Sequence, residues 1–159
     1  MYKHSPQFKA GKFNNAKKIN MLSWDKAHDV AARYIFQRSP ETLPRNPSPV
    51  EPITRQQLVS APENTLYRLG HSTVLMKLEG EFWLTDPVFC ERASPVQWAG
   101  PQRFHKPPIS IAELPDLKGV ILSHDHYDHL DKAAVKALAH KTQHFYAPLG
   151  VGDLLVTWG

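Results

Sequence analysis

The nine residues Ser123-His124-Asp125-His126-Tyr127-Asp128-His129-Leu130-Asp131 constrain this chain more than any other stretch. They hold three histidines and three aspartates. The residues before them, Gly119-Val120-Ile121-Leu122, read as a short buried strand, and residues 132–141 read as a helix. A strand that ends in nitrogen and oxygen donors and then turns into a helix has the form of a metal site. In open α/β sheets, ligands bind outside the carboxyl ends of strands. Asp131 is placed to N-cap the helix, whose inner face carries Ala134, Val135 and Leu138. The expectation is an α/β protein that works as a metal-dependent hydrolase.

His124, His126, Asp128 and His129 are the candidate ligands. Imidazole with carboxylate favours first-row metals over magnesium or calcium. His124 and His126 can grip one ion, while Asp128 and His129 point at an adjacent position. That pattern suits two ions about 3.5–4 Å apart with a water between them. Zinc makes water a usable nucleophile near neutral pH. A nonspecific histidine tract does not fit, because aspartates interrupt the histidines between a strand and a helix. A closed structural zinc site is mostly cysteine-rich, and this chain has one cysteine, Cys90. The same count excludes an internal disulfide.

Residues 1–20 are polar and basic, a flexible arm or an extended segment. Residues 23–37 carry Trp24, Ala27, Ala31, Tyr34 and Ile35 at helical spacing, with Ser23 as N-cap. Pro40, Pro44, Pro47, Pro49, Pro52 and Pro62 follow, which argues against helix and central strand across residues 40–62 and for a linker. The domain boundary is expected near Asn64. Residues 1–64 are then an N-terminal extension, with a basic arm, one helix and a proline-rich linker.

From Thr65 the pattern becomes strand-like. Residues 66–69, 73–78 and 81–85 read as an up-down-up meander, with Glu79-Gly80 as a tight hairpin loop. That geometry sets His71 and Asp86 at one edge of the sheet, beside the metal cluster. Residues 88–115 form a long excursion bearing Phe89, Trp98, Phe104 and His105. It reads either as a substrate-binding or lid segment, or as a flap whose aromatics are buried. Residues 142–147 read as a further strand, and residues 150–158 start a helical pattern.

The stretch from Ser123 to Asp131 resembles the signature of the metallo-β-lactamase-fold hydrolases. Leu69-Gly-His-Ser-Thr-Val-Leu, Leu84-Thr-Asp-Pro-Val-Phe, Arg92-Ala-Ser-Pro, Ala99-Gly-Pro-Gln-Arg-Phe and Pro148-Leu-Gly-Val-Gly narrow it. These blocks resemble the branch containing N-acyl-phosphatidylethanolamine-hydrolysing phospholipase D and its bacterial relatives. The resemblance implies an αββα sandwich and zinc as cofactor, two ions in the complete protein, with iron or manganese as alternatives. It implies that His124 and His126 bind one ion and Asp128 and His129 the other. Asp128 would also orient the attacking water or act as its base. Asp86 would support the site through hydrogen bonds. His71 would have either a supporting role or a substrate contact.

The family completes its site with later ligands: a further histidine on each metal and a bridging aspartate. His140 lies ~14 Å along a helix leading away from the cluster, and His144 begins a strand at that far end. Residues 65–159 are therefore expected to be the N-terminal half of the fold, binding metal weakly and showing little catalysis alone. An apolar sheet face and an open edge would remain for a C-terminal half or a second copy to cover.

The expected substrate is a small molecule or a phospholipid-like phosphodiester, met by the aromatic, proline-rich excursion. A nuclease or lactonase of the same fold is one alternative, and a non-catalytic assembly module is another. Nucleic acid is disfavoured, since Arg92, Arg103 and Lys106 make a thin basic patch. The net charge of +4 is modest. No long apolar run and no secretory leader are visible, so the expected place is the cytoplasm, with contact at the inner membrane surface left open.

Overall fold

The computed structural model describes residues 4–14, 16–17, 44–46 and 48–159. The helix expected over residues 23–37 lies outside the described residues. The chain divides into two compact units, residues 1–46 and 47–159.

In the first unit, β1 (Phe8–Lys9) pairs antiparallel with β2 (Lys12–Phe13). The sequence reading has only an arm here. The two-residue turn explains the difference: Ala10 and Gly11 both take positive φ, 52° and 76°. That is the backbone a tight hairpin needs. Phe8 and Phe13 then face each other across the strands, with ring centroids 5.0 Å apart.

The second unit opens with α1 (Arg55–Ser60), a helix inside the stretch expected to exclude one. Prolines flank it, but residues 53–61 contain none. Thr54 and Gln57 form a reciprocal capping box: Gln57 N donates to Thr54 Oγ1, and Thr54 N donates to Gln57 Oε1 at 2.8 Å. Leu58 anchors the helix in the core with no exposed surface.

A five-stranded sheet follows: β3 (Thr65–Arg68), β4 (Val74–Leu78), β5 (Glu81–Thr85), β6 (Leu117–Ile121) and β7 (Thr142–Tyr146), in that spatial order. The first three strands are antiparallel neighbours, and β6 and β7 are parallel to β5. The expected meander is therefore present. Glu79 and Gly80 close it with φ of 53° and 77°, again a two-residue hairpin loop.

Parallel neighbours need a crossover. Residues 86–116 supply one without regular helix. The other is α2 (Lys132–Leu138) followed by a 3-10 turn (Ala139–Lys141). The α-helix thus stops at Leu138, short of the expected residue 141. Beyond it, Lys141 Nζ donates to the carbonyls of Ile111, Ala112 and Leu114. A last short helix, α3 (Val151–Thr157), ends the described structure.

Leu75, Leu84 and Val120 lie in register on one face of the sheet, and all three are fully buried. Leu58, Leu114, Leu130, Val135 and Leu138 complete that core. Each such side chain stabilises the fold by roughly 1.5–3 kcal/mol of apolar burial. On the opposite face Leu66, Ile121 and Tyr146 stay exposed. Gly119 lies on that face beneath Trp83, where a Cβ would approach the indole to 2.6 Å. Glycine is what lets the ring cross the strand.

The register decides where the loops emerge. Arg68 is opposite Val74, Val74 opposite Thr85, Thr85 opposite Ile121, and Ile121 opposite Tyr146. The turn after β3, Asp86 after β5 and the histidine-rich loop after β6 therefore leave the sheet side by side.

Candidate metal centre

The loop from Ser123 to Asp131 is fixed at both ends. At its start, Asp86 N donates to Ile121 O at 2.9 Å, and Ser123 N donates to Asp86 Oδ1 at 2.7 Å. At its end, Leu130 is buried and Asp131 caps α2, accepting from Ala133 N and Ala134 N through Oδ1. Asp131 Oδ2 also accepts from Phe89 N and Cys90 N, which ties the start of the 86–116 excursion to the helix. In the middle, His129 N and Leu130 N both donate to His126 O. That turn doubles the chain back, so donors separated in sequence converge.

His124, His126 and Asp128 offer one ligand atom each within 4.8 Å of one another, and so do His71, Asp128 and His129. Asp128 belongs to both groups. The rings crowd together: His124 meets His126 edge to face at 4.6 Å and His129 at a tilt at 4.0 Å between centroids.

Asp86 lies beneath this cluster, almost fully buried, with a positive φ of 37°. Its Oδ2 accepts from Ser123 Oγ at 2.8 Å and faces His129 Nδ1 at 2.9 Å. A carboxylate only accepts, so the neutral ring of His129 carries its proton on Nδ1. Its Nε2 lone pair is then directed outward, toward Asp128 Oδ2 at 3.6 Å. Ser123 Oγ, whose O–H donates to Asp86, faces His124 Nδ1 at 2.9 Å as an acceptor. Carboxylate-to-imidazole partners of this kind hold a metal-ligating histidine in the right tautomer.

The structure therefore brings His124, His126, Asp128 and His129 together, with Asp86 behind His129 and His71 beside Asp128. His140 and His144 are in neither donor group. Two residues escaped the sequence reading. Ser123 is one; its place between the β6 tip and the first ligand was the available signal. Arg68 is the other. It ends β3 beside the His71 turn, where its Nε donates to Gly70 O at 3.2 Å.

A cavity of about 360 Å³ opens next to the cluster, lined among others by Arg68, His71, Cys90, Arg103, Phe104 and Asp128. A larger one, about 680 Å³, adjoins it and shares Arg68, Phe104 and His105. Arg103 is committed to the scaffold, donating to Cys90 O and Val88 O at 2.8 Å each. Burial pulls its guanidinium below the ordinary arginine range. Burial likewise pushes the Cys90 thiol up to about 11, assisted by the charge of Asp131 and opposed by Arg103. At neutral pH Cys90 is a neutral thiol and a poor ligand or nucleophile. Trp98 and Phe104 stand exposed on the excursion, contrary to a flap with all its aromatics buried.

Imidazole nitrogens with one shared carboxylate are the donor set of a first-row divalent ion, and the converging atoms fit one. No described helix is long and apolar enough to cross a membrane.

Comparison with known proteins agrees with this reading. Residues 83–159 match the family model described as the beta-lactamase superfamily domain. An uncharacterized protein of Mycobacterium tuberculosis is 37% identical over 98% of this chain, which spans 42% of that protein. The N-acyl-phosphatidylethanolamine-hydrolyzing phospholipase D 1 of Caenorhabditis elegans is 45% identical over 107 residues, 65% of this chain and 30% of the worm protein. The chain thus spans less than half the length of these relatives. A solved structure of a possible metal-dependent hydrolase from Veillonella parvula has the same fold at a TM-score of 0.51 and 19% identity, over 62% of this chain and 40% of that one. At that identity the likeness shows a shared fold alone. Residues 83–159, which include the motif at the strand tip, are thus similar to the beta-lactamase superfamily domain.

Proposed function

We propose that the chain contributes the metal centre of a zinc-dependent phosphodiesterase of phospholipase D type, acting on an N-acyl-phospholipid-like substrate. The observation that carries this reading is the pair of donor groups sharing Asp128 at the rim of a cavity. The 45% identity to the worm phospholipase over 107 residues supports the substrate class. A divalent cation held there supplies Lewis acidity toward a phosphoryl oxygen and toward water at neutral pH.

The chain's own residues do the rest. Asp128 has two carboxylate oxygens, enough to serve the donor groups and to take a proton from the attacking water. The water oxygen bonds to phosphorus, the bond from phosphorus to the alcohol oxygen breaks, and the departing alcohol takes up a proton. Arg68, on the cavity wall, can balance phosphate charge. Exposed Trp98 and Phe104 support contact with an amphiphile at the inner surface of a membrane. A nucleic-acid substrate is less favoured, because the guanidinium of Arg103 is spent on backbone carbonyls.

The test is hydrolysis of N-acyl-phosphatidylethanolamine in mixed micelles, with zinc added, by the chain extended to the length of its relatives, set against a soluble aryl phosphodiester. Asp128→Ala is expected to abolish turnover of both, a loss of at least about 100-fold for a group that moves the proton. Turnover retained by that variant would contradict the role of Asp128. Turnover of lactones or of DNA in place of the phospholipid would move the substrate to the alternatives.

A further inference from the structure

We propose that His71 is itself a metal ligand, the third protein donor to an ion held with Asp128 and His129. This rests on the reading that the strand-tip cluster holds divalent metal, and it assigns His71 a role that its position in the sequence left open.

Two distances carry the argument. His71 Nε2 lies 3.5 Å from Asp128 Oδ2, and His129 Nε2 lies 3.6 Å from the same oxygen. Both are too long for hydrogen bonds, which fall at about 2.7–3.2 Å between nitrogen and oxygen. A tetrahedral ion with donors about 2.0–2.2 Å away sets neighbouring donors ~3.3–3.6 Å apart. The two separations thus match edges of a coordination tetrahedron and are longer than a hydrogen-bonded pairing of a histidine with an acid. All three donor atoms fall within 4.8 Å of one another, and the His71 and His129 rings meet edge to face at 5.5 Å.

The side chain of His71 is 66% exposed, so packing does not hold it. Its backbone is held firmly. Leu69 N and Gly70 N both donate to Thr73 O, closing the turn that carries it. Thr85 Oγ1 donates to Ser72 O at 2.9 Å, and Thr73 Oγ1 donates to Asp86 O at 2.7 Å. The residue that aims His129 is therefore bonded to the turn that presents His71. One device positions both imidazoles against the Asp128 carboxylate. An exposed ion pair between His71 and Asp128 would contribute little on its own and would not call for such an anchor.

The test is a zinc competition titration against a chromophoric chelator, on the 159-residue chain. Wild type is expected to take two ions. His71→Ala should keep one at wild-type affinity and weaken the other by more than about 100-fold, beyond the ~10–100-fold loss of a residue that only supports a ligand. His71→Gln keeps an N–H donor that can orient Asp128 but lacks the imidazole nitrogen, and it should behave like His71→Ala. Far-UV circular dichroism checks that both variants fold. Two ions bound by His71→Ala within threefold of wild-type affinity would overturn the proposal. So would recovery of the second ion by His71→Gln, which would make His71 an orienting group. A wild-type chain that takes no zinc would sink the metal-centre reading underneath.

Discussion

One carboxylate, on Asp86, does two things for the candidate centre. It accepts the backbone N–H of Ser123 through Oδ1, and it takes both the Ser123 hydroxyl and His129 Nδ1 through Oδ2. An amide has one oxygen and cannot repeat this. In Asp86→Asn the oxygen must serve Ser123 N, which turns the NH2 toward His129 Nδ1, donor against donor. His129 would then shift its proton to Nε2 and lose its metal lone pair. Zinc affinity in Asp86→Asn should drop ~10–100-fold by competition titration. Affinity equal to wild type would contradict the tautomer argument. Cys90 gives a pH test. Its thiol is pushed up from 9.0 to about 11, chiefly by burial. A group whose proton is bound more tightly when folded stabilises the fold below 9.0, and that contribution is lost as pH rises through about 11. Alkylation by iodoacetamide, read by mass spectrometry, should be slow at about pH 8 and accelerate only toward pH 11. Reaction at about pH 8 at the rate of a peptide thiol would contradict it.

Among the elements, α2 is more than a crossover. Asp131 receives four backbone N–H groups, two from the first turn of α2 and two from the 86–116 excursion. Asp131→Ala should cost roughly 2–4 kcal/mol in chemical denaturation, a lost cap plus unsatisfied buried donors. Asp131→Asn keeps the cap with its oxygen and loses the tie to the excursion, so its loss should be about half as large. Equal stability of the three proteins would show that the tie carries no energy. The strands of the meander were legible because Leu75, Phe82 and Leu84 alternate with more exposed residues and Glu79-Gly80 marks the turn. Helix α1 was not, because counting prolines over residues 40–62 hides the proline-free window whose capping box starts it. The donors His124, His126, Asp128 and His129 were legible as a motif. That His71 faces Asp128 was legible only as a shared edge, since the distance depends on a turn held by Thr73 and Thr85. Ser123 stands beside the first ligand in the sequence, but its bonds to Asp86, far away in the chain, were not legible there.

At the scale of the whole second unit, a single sheet does two jobs with its two faces and one with its edge. One face buries the leucine-rich core, the other leaves Leu66, Ile121 and Tyr146 exposed, and the edge gathers the donors from two loops with Asp86 behind them. Mixed pairing makes this possible. The antiparallel strands bring the His71 turn and Asp86 together, and the parallel strand β6 then delivers the histidine-rich loop beside them. The account depends on that edge being a metal centre. The most direct check is anomalous diffraction at the zinc absorption edge from crystals of the 159-residue chain grown with zinc. The account predicts anomalous peaks about 2.0–2.2 Å from ligand atoms of His124, His126, Asp128 and His129. Peaks confined to other surface residues, or none, would contradict it.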